Sequence, residues 1–204
     1  MIAEIKQSLS LINFQLFLFS MVLFFAGYTL APWAYYKDIK FLLAYPKWLA
    51  KKLDKLASRH WHFATLFMFI LGVNTFSLFI DLLSGLAPLL PVVFAVWTGF
   101  NVGVITYHTL VGKFYFASLL NPVALFELPA AFIAFTLALQ YNCVLIGCRW
   151  LGDIPQNFSA YLKAFFWIVM PLLIIAGLIE TFAIKFAQRI EEAEEEKDKT
   201  KDDL

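Results

Sequence analysis

The chain has 204 residues, of which 61% are hydrophobic and only 15% charged, with a formal net charge of +1. A water-soluble domain carries about a quarter charged residues, so the composition points to a membrane protein. The near-neutral charge excludes a nucleic-acid binder, which needs a concentrated basic face.

A bilayer span needs about 20 apolar residues. Five stretches qualify: Leu11–Trp33, Trp61–Leu83, Leu86–Val111, Ala117–Gln140 and Ala160–Ile184. The expected fold is therefore all-α, a polytopic bundle of five transmembrane helices forming one domain over residues 1–184, and the 23 Phe suit its lipid-facing surface. The first apolar run outlasts the roughly 7–15 residues of a signal peptide, so it is read as an uncleaved anchor.

The connection over residues 35–60 carries Lys37, Lys40, Lys47, Lys51, Lys52, Lys55 and Arg59 against Asp38 and Asp54. Within it, Trp48, Leu49, Leu53, Leu56 and Ala57 recur at helical spacing opposite the lysines. That pattern predicts a basic amphipathic helix lying on an anionic leaflet, separated by Pro46 from a shorter apolar piece. An ordinary helix packed on the bundle is the other reading.

Polar side chains inside spans face protein or water, not lipid. The second span carries Asn74, Ser77 and Asp81 on one stripe, and the third carries Thr98, Asn101 and His108. Also in the third, Ala95, Gly99 and Gly103 recur every four residues, the small-residue spacing that lets helices approach closely. The fourth span sets Glu127 on a ridge with Ala124, Ala131, Ala134 and Ala138, two residues before Pro129. Proline cannot donate to the carbonyl of Leu125, so a polar backbone group is left beside the carboxylate. At 1.5 Å per residue, Glu127 is expected about 15 Å deep. The last span places Ala176 and Gly177 just before Glu180. Glu127, Glu180, Asn101, His108 and Asn74 together are predicted to form an intramembrane polar cluster.

Cys143 and Cys148 flank the connection between the last two spans, and pairing and two separate thiols are equally compatible with their spacing. Residues 185–204 form a charged tail expected to extend the last helix and fray. There is no glycine-rich phosphate loop, no His/Cys metal spacing and no nucleophile elbow, so neither an enzyme nor a metal or cofactor is expected.

Lys and Arg concentrate beside the first connection, the third turn (Lys113) and the tail (Lys185, Arg189), whereas the other side has Lys6, Arg149 and Lys163. By the positive-inside rule the N-terminus is outside and the tail cytoplasmic, in the plasma (inner) membrane.

Asn74, "TGFNVG" (Thr98–Gly103), "NPVALFELPA" (Asn121–Ala130) and "IIAGLIET" (Ile174–Thr181) follow one another in an order that resembles the stage II sporulation protein M family. The likeness covers about residues 64–184. One departure matters: the family's Pro-His-Gly ahead of Glu-Leu-Pro-Ala reads Pro122, Val123 and Ala124 here, so no role that depends on that His carries over. The resemblance implies a five-span envelope protein whose named relative works with peptidoglycan-remodelling proteins. On this basis the chain is expected to be a membrane scaffold acting on other envelope membrane proteins, with a homo-oligomer as a further arrangement. A transporter subunit or channel routed past the carboxylates is the alternative.

Overall fold

The computed structural model describes residues 2–57, 59, 61–110, 113–147 and 155–202. The described residues are helical throughout their regular structure: α1 (Ile2–Leu11), α2 (Phe14–Tyr36), α3 (Lys40–Ala57), α4 (Phe63–Leu83), α5 (Leu90–Thr109), α6 (Ala124–Ile146), α7 (Phe158–Ala164) and α8 (Met170–Asp202). A π-helical stretch, Phe165–Val169, joins α7 to α8 and makes them one continuous rod. Pro171 follows it and offers no N–H to the carbonyl four residues back, which is where a widened turn relieves a helix. Five helical units are long and apolar enough to cross a bilayer: α2, α4, α5, α6 and the α7–α8 rod.

Helix ends differ from the apolar runs where local chemistry sets them. The first span begins at Phe14, because Asn13 caps it, its Oδ1 accepting from Leu16 N–H at 3.0 Å. The third starts at Leu90 rather than Leu86, since Ser84–Leu86 form a 3-10 turn and Asn142 of α6 accepts from Leu89 N–H and donates to Ala87 O. The fourth starts at Ala124 rather than Ala117. Here Ala117–Leu120 make another 3-10 turn, and Asn121 takes the N-cap, its Oδ1 2.8 Å from Ala124 N, with Pro122 behind it.

Successive spans run in opposite directions. The start of α2, the end of α4 and the end of α6 share one face with α1, where Gln140 of α6 donates to Leu11 O at 2.8 Å. The other face carries α3 and the projecting end of α8, linked by Gln188 Nε2 to Arg59 O at 3.3 Å. We call this the basic face.

The tightest pair is α2 with α5, which lie parallel. A Cβ added at Gly27 would strike the Val96 backbone, one at Gly99 the Phe24 backbone, and one at Gly103 would lie 2.7 Å from Ala31 Cβ. The Ala95/Gly99/Gly103 stripe thus meets Gly27 and Ala31 of α2. Helix α6 is the central post. Ala130 through Gln140 are all buried, so this stretch has no lipid-facing side.

The amphipathic helix runs unbroken through Pro46 from Lys40 to Ala57 rather than starting after the proline. It packs on α5, with Leu43 buried among Ala31, Ala34, Phe100 and Val104, and leaves Phe41, Tyr45 and Trp48 exposed beside its lysines. Exposed aromatic rings next to lysines are what a membrane–water boundary selects.

Candidate functional site

Helices α4 and α5 touch only sparsely, whereas each is anchored elsewhere, α4 against α8 and α6, and α5 against α2 and α3. The space left between them is a groove of about 660 Å³ with α6 as its floor. Asn74, Ser77 and Asp81 face it from α4, Thr98 and Asn101 from α5, and Ser118, Asn121 and Glu127 from α6 and the turn before it. Along α5 the lining runs from Phe94 to Thr106, about 18 Å by helical rise. Asp81 lies two residues before the end of α4, so the groove covers most of the thickness of the bundle. Its edges are exposed and apolar: Phe76 is 66% exposed, Tyr45 50% and Trp97 37%. The groove therefore opens sideways, toward lipid.

Two of its lining residues carry a buried acceptor with no hydrogen-bond partner. Asp81 is 3% exposed, and its Oδ2 is buried without a partner. Asn101 spends its Nδ2 on Trp97 O at 2.8 Å, which leaves Oδ1 buried and unpartnered. A buried polar group without a partner is costly and rare, so each such group calls for an explanation.

Glu127 is half-buried in the groove with Ala124 and Ala131 beside it. Its depth follows from register. Ser20 of α2 donates to Phe132 O at 3.2 Å, and Asn13 N–H reaches Gln140 Oε1 at 3.3 Å, which fixes α2 antiparallel to α6. Continued along both helices, that register sets Glu127 level with Phe25–Gly27, about 15 Å from the basic-face end of α2 at Tyr36. Pro129 lies inside α6, so Leu125 C=O has no N–H to accept from four residues on.

The segment before α6 folds back into the bundle. Tyr28 Oη donates to Tyr115 O at 2.7 Å, Tyr115 Oη donates to Tyr28 O at 2.6 Å, and the two rings stack with centroids 4.4 Å apart. This clasp carries Ser118 and Asn121 to the groove wall, and Phe114 beside it takes a left-handed φ of 53°.

Of the predicted cluster, the groove holds Glu127, Asn101 and Asn74. Two members do not line it. Glu180, on α8, is near enough to Glu127 to interact with it electrostatically but does not line the groove. His108 turns to α2, its Nδ1 3.0 Å from Tyr35 Oη. The alanine ridge also divides: Ala134 and Ala138 are fully buried in the core, with Gly85 against Ala138, while Ala124 and Ala131 face the groove. Cys143 occupies the last turn of α6, half-buried, but Cys148 lies outside the described residues and the pairing of the two with it. The sequence reading missed Ser118 and Asn121, although Asn-Pro before an apolar run is a helix-start signal. It also missed Gly27, which the spacing Gly27–Ala31 could have revealed.

The match to known proteins covers most of the chain. The family model described as Stage II sporulation protein M matches residues 16–183. The chain belongs to the stage II sporulation protein M family. The matched range begins within α2, takes in α3, α4, α5 and α6 whole and stops within α8. No curated protein and no solved structure matches the chain. As a member of this family with five bilayer-length helices, it is a membrane protein.

Proposed function

We propose that this member of the stage II sporulation protein M family is a non-enzymatic assembly protein of the cell envelope. It sits in the plasma (inner) membrane with its N-terminus outside and holds other envelope membrane proteins in place. The observation that carries this reading is the course of α8. Gln188 of α8 donates to Arg59 O, and beyond that point α8 continues for 14 residues, about 20 Å, to Asp202. That stretch reads "RIEEAEEEKDKTKD", and Glu191, Glu192 and Glu194 are exposed. A stretch this polar has no apolar stripe to lay on the bundle, and one use of such a helix is to bridge to another body. Exposed Lys51, Lys52 and Lys55 of α3 lie on the same face. An acidic rod beside a basic shelf offers a partner two charged handles and, by the positive-inside rule, both are cytoplasmic.

The test is a pull-down in gentle detergent with mass spectrometry, comparing the full chain with one stopped after Gln188. A scaffold brings down membrane proteins in near-stoichiometric amounts and loses some of them with the rod. No stoichiometric company for the full chain, in an envelope where it is normally expressed, would overturn the reading.

One observation favours a second reading, a transporter subunit or channel. The polar residues of the groove are not confined to one half: Asp81 lies near one end, Asn121 and Ser118 toward the other, and Glu127 and Asn101 between. Purified protein in liposomes decides between the two. Proton or cation flux that disappears in Glu127→Gln while the fold melts normally makes the groove a path, and absence of flux in the parent leaves the scaffold.

A further inference from the structure

We infer that the groove between α4 and α5 binds a membrane amphiphile whose head donates hydrogen bonds and carries no negative charge, an amine or a polyol. The reading stands independently of the scaffold role. Three observations lead to it. The first is size: about 660 Å³ falls within the roughly 300–1,000 Å³ typical of small-molecule sites. The second is access. Phe76, Ile80 and Trp97 form exposed apolar edges, so a ligand arriving within the lipid layer enters without crossing a polar barrier, and its chain lies along those rings. The third is unmet demand inside. Asp81 is 97% buried with Oδ2 unpartnered, and Asn101 Oδ1 is unpartnered too, both in residues that line the groove.

The charge of the site selects the head. Its carboxyl groups are Asp81 and Glu127, its other polar groups are hydroxyls, amides and the Trp97 indole, and among the described residues no Lys, Arg or His lines it. The vacant positions are acceptors. An ammonium or hydroxyl head supplies the donor that Asp81 lacks, and Asn101, about 10 Å further along the groove by helical rise, offers a second acceptor to the hydroxyls of a larger head. A carboxylate or phosphate head would bring a second set of acceptors next to two carboxyl groups with no cation to offset them. Nothing comparable exists in the other sizeable hollow, between α4 and the π-helical turn, which is walled by Met68, Leu71, Phe79, Phe166 and Met170 and is almost wholly apolar.

Spin-labelled single-chain amphiphiles of equal chain length test this, using the full chain in phosphatidylcholine vesicles. Three heads are compared: amine, glucosyl and carboxylate. The readout is the fraction of each probe motionally restricted by the protein. In the parent, the amine or glucosyl probe is restricted in excess of the carboxylate probe. Asp81→Asn with Asn101→Leu weakens that preference about tenfold, the loss expected for a hydrogen bond to a charged group. Trp97→Ala widens the mouth and lowers restriction of all three probes alike. Equal restriction of the three heads in the parent signals boundary lipid alone and overturns the proposal, as does a preference for carboxylate. Because the double variant could unfold, its melting midpoint is measured in parallel. Should it fail to fold, Ser77→Ala with Thr98→Val, which adds no bulk and removes two hydroxyls from the wall, replaces it. A head-group preference unchanged in a folded variant also overturns the proposal.

Discussion

The packing of α2 on α5 allows a graded test with one methyl group. In Gly103→Ala the new Cβ lies 2.7 Å from Ala31 Cβ and 2.9 Å from Tyr28 O, where an ordinary contact needs 3.4 Å or more. The two helices must therefore part by well over half an ångström. In Gly27→Ala the obstruction is the Val96 carbonyl together with Phe100 N, both backbone, which no rotamer change can move aside. Overfilling a packed interior costs about 1–3 kcal/mol, and Gly27→Ala belongs at the top of that range. Gly177→Ala meets only ordinary contacts at 3.5–3.7 Å, and Gly72→Ala meets nothing within 4 Å. An alanine in those helix interiors recovers about 0.5–1 kcal/mol of backbone entropy. The predicted order of stability is Gly72→Ala, Gly177→Ala, Gly103→Ala, Gly27→Ala, with about 2–4 kcal/mol between the ends. Equilibrium unfolding by sodium dodecyl sulfate titration from a mild detergent, followed by circular dichroism, measures it. If Gly27→Ala unfolds at the same detergent fraction as Gly72→Ala, the α2–α5 contact is not what the geometry says.

Ala134 is fully buried in α6 whereas Ala131 borders the groove, so Ala134→Leu should destabilise by about 1–3 kcal/mol and Ala131→Leu by less, as read in the same titration. Asn121→Ala removes the cap of α6 and should cost about 1 kcal/mol, with Asn121→Asp recovering most of it. Tyr115→Phe deletes the donor to Tyr28 O and leaves that carbonyl unpaired, a loss of about 1–3 kcal/mol that faster amide exchange around residues 113–120 would reveal. For orientation, Lys6→Cys should react with an impermeant maleimide in intact cells and Lys199→Cys should not, and the reverse pattern would place the basic face outside.

The number and order of spans were legible because an apolar run of about 20 residues has few other uses. Which polar residues share a wall was legible only in part. Stripes such as Asn74/Ser77/Asp81 and Thr98/Asn101 follow from helical spacing, but spacing fixes the face of one helix and not the helix opposite. His108 is in phase with Asn101, yet its ring meets Tyr35 of α2 near the end of the span, a partner that no periodicity names. Glu180 stands near Glu127, as expected, but spacing alone did not separate it from the groove. It is close to Glu127 through the α6–α8 contact, while the groove lies on the side of α6 toward α4 and α5. The span boundaries were blurred by turns that are themselves apolar. "ASLL" is indistinguishable by composition from a first helical turn, and only the Asn121–Pro122 pair after it marks the true start.

That displaced start bears on why a glutamate and a proline stand together in "ELPA". Glu127 is only six residues beyond the Asn121 cap, yet the α2 register sets it about 15 Å from the basic-face end. The chain preceding α6 reaches inward with it, held by the Tyr28–Tyr115 clasp. Pro129 lies beyond the first turn, so its missing N–H removes an intrahelical bond and frees Leu125 C=O. Leucine 125 is exposed, however, and its carbonyl belongs to the part of α6 that is not yet enclosed, since unbroken burial begins only at Ala130. The proline thus divides α6 into a short, half-buried segment that presents Glu127 to the groove and a fully enclosed post that fixes it. A carboxylate seven residues further along would stand at Ala134, fully enclosed in the packed core and outside the groove lining, where the groove could no longer supply its polar neighbours.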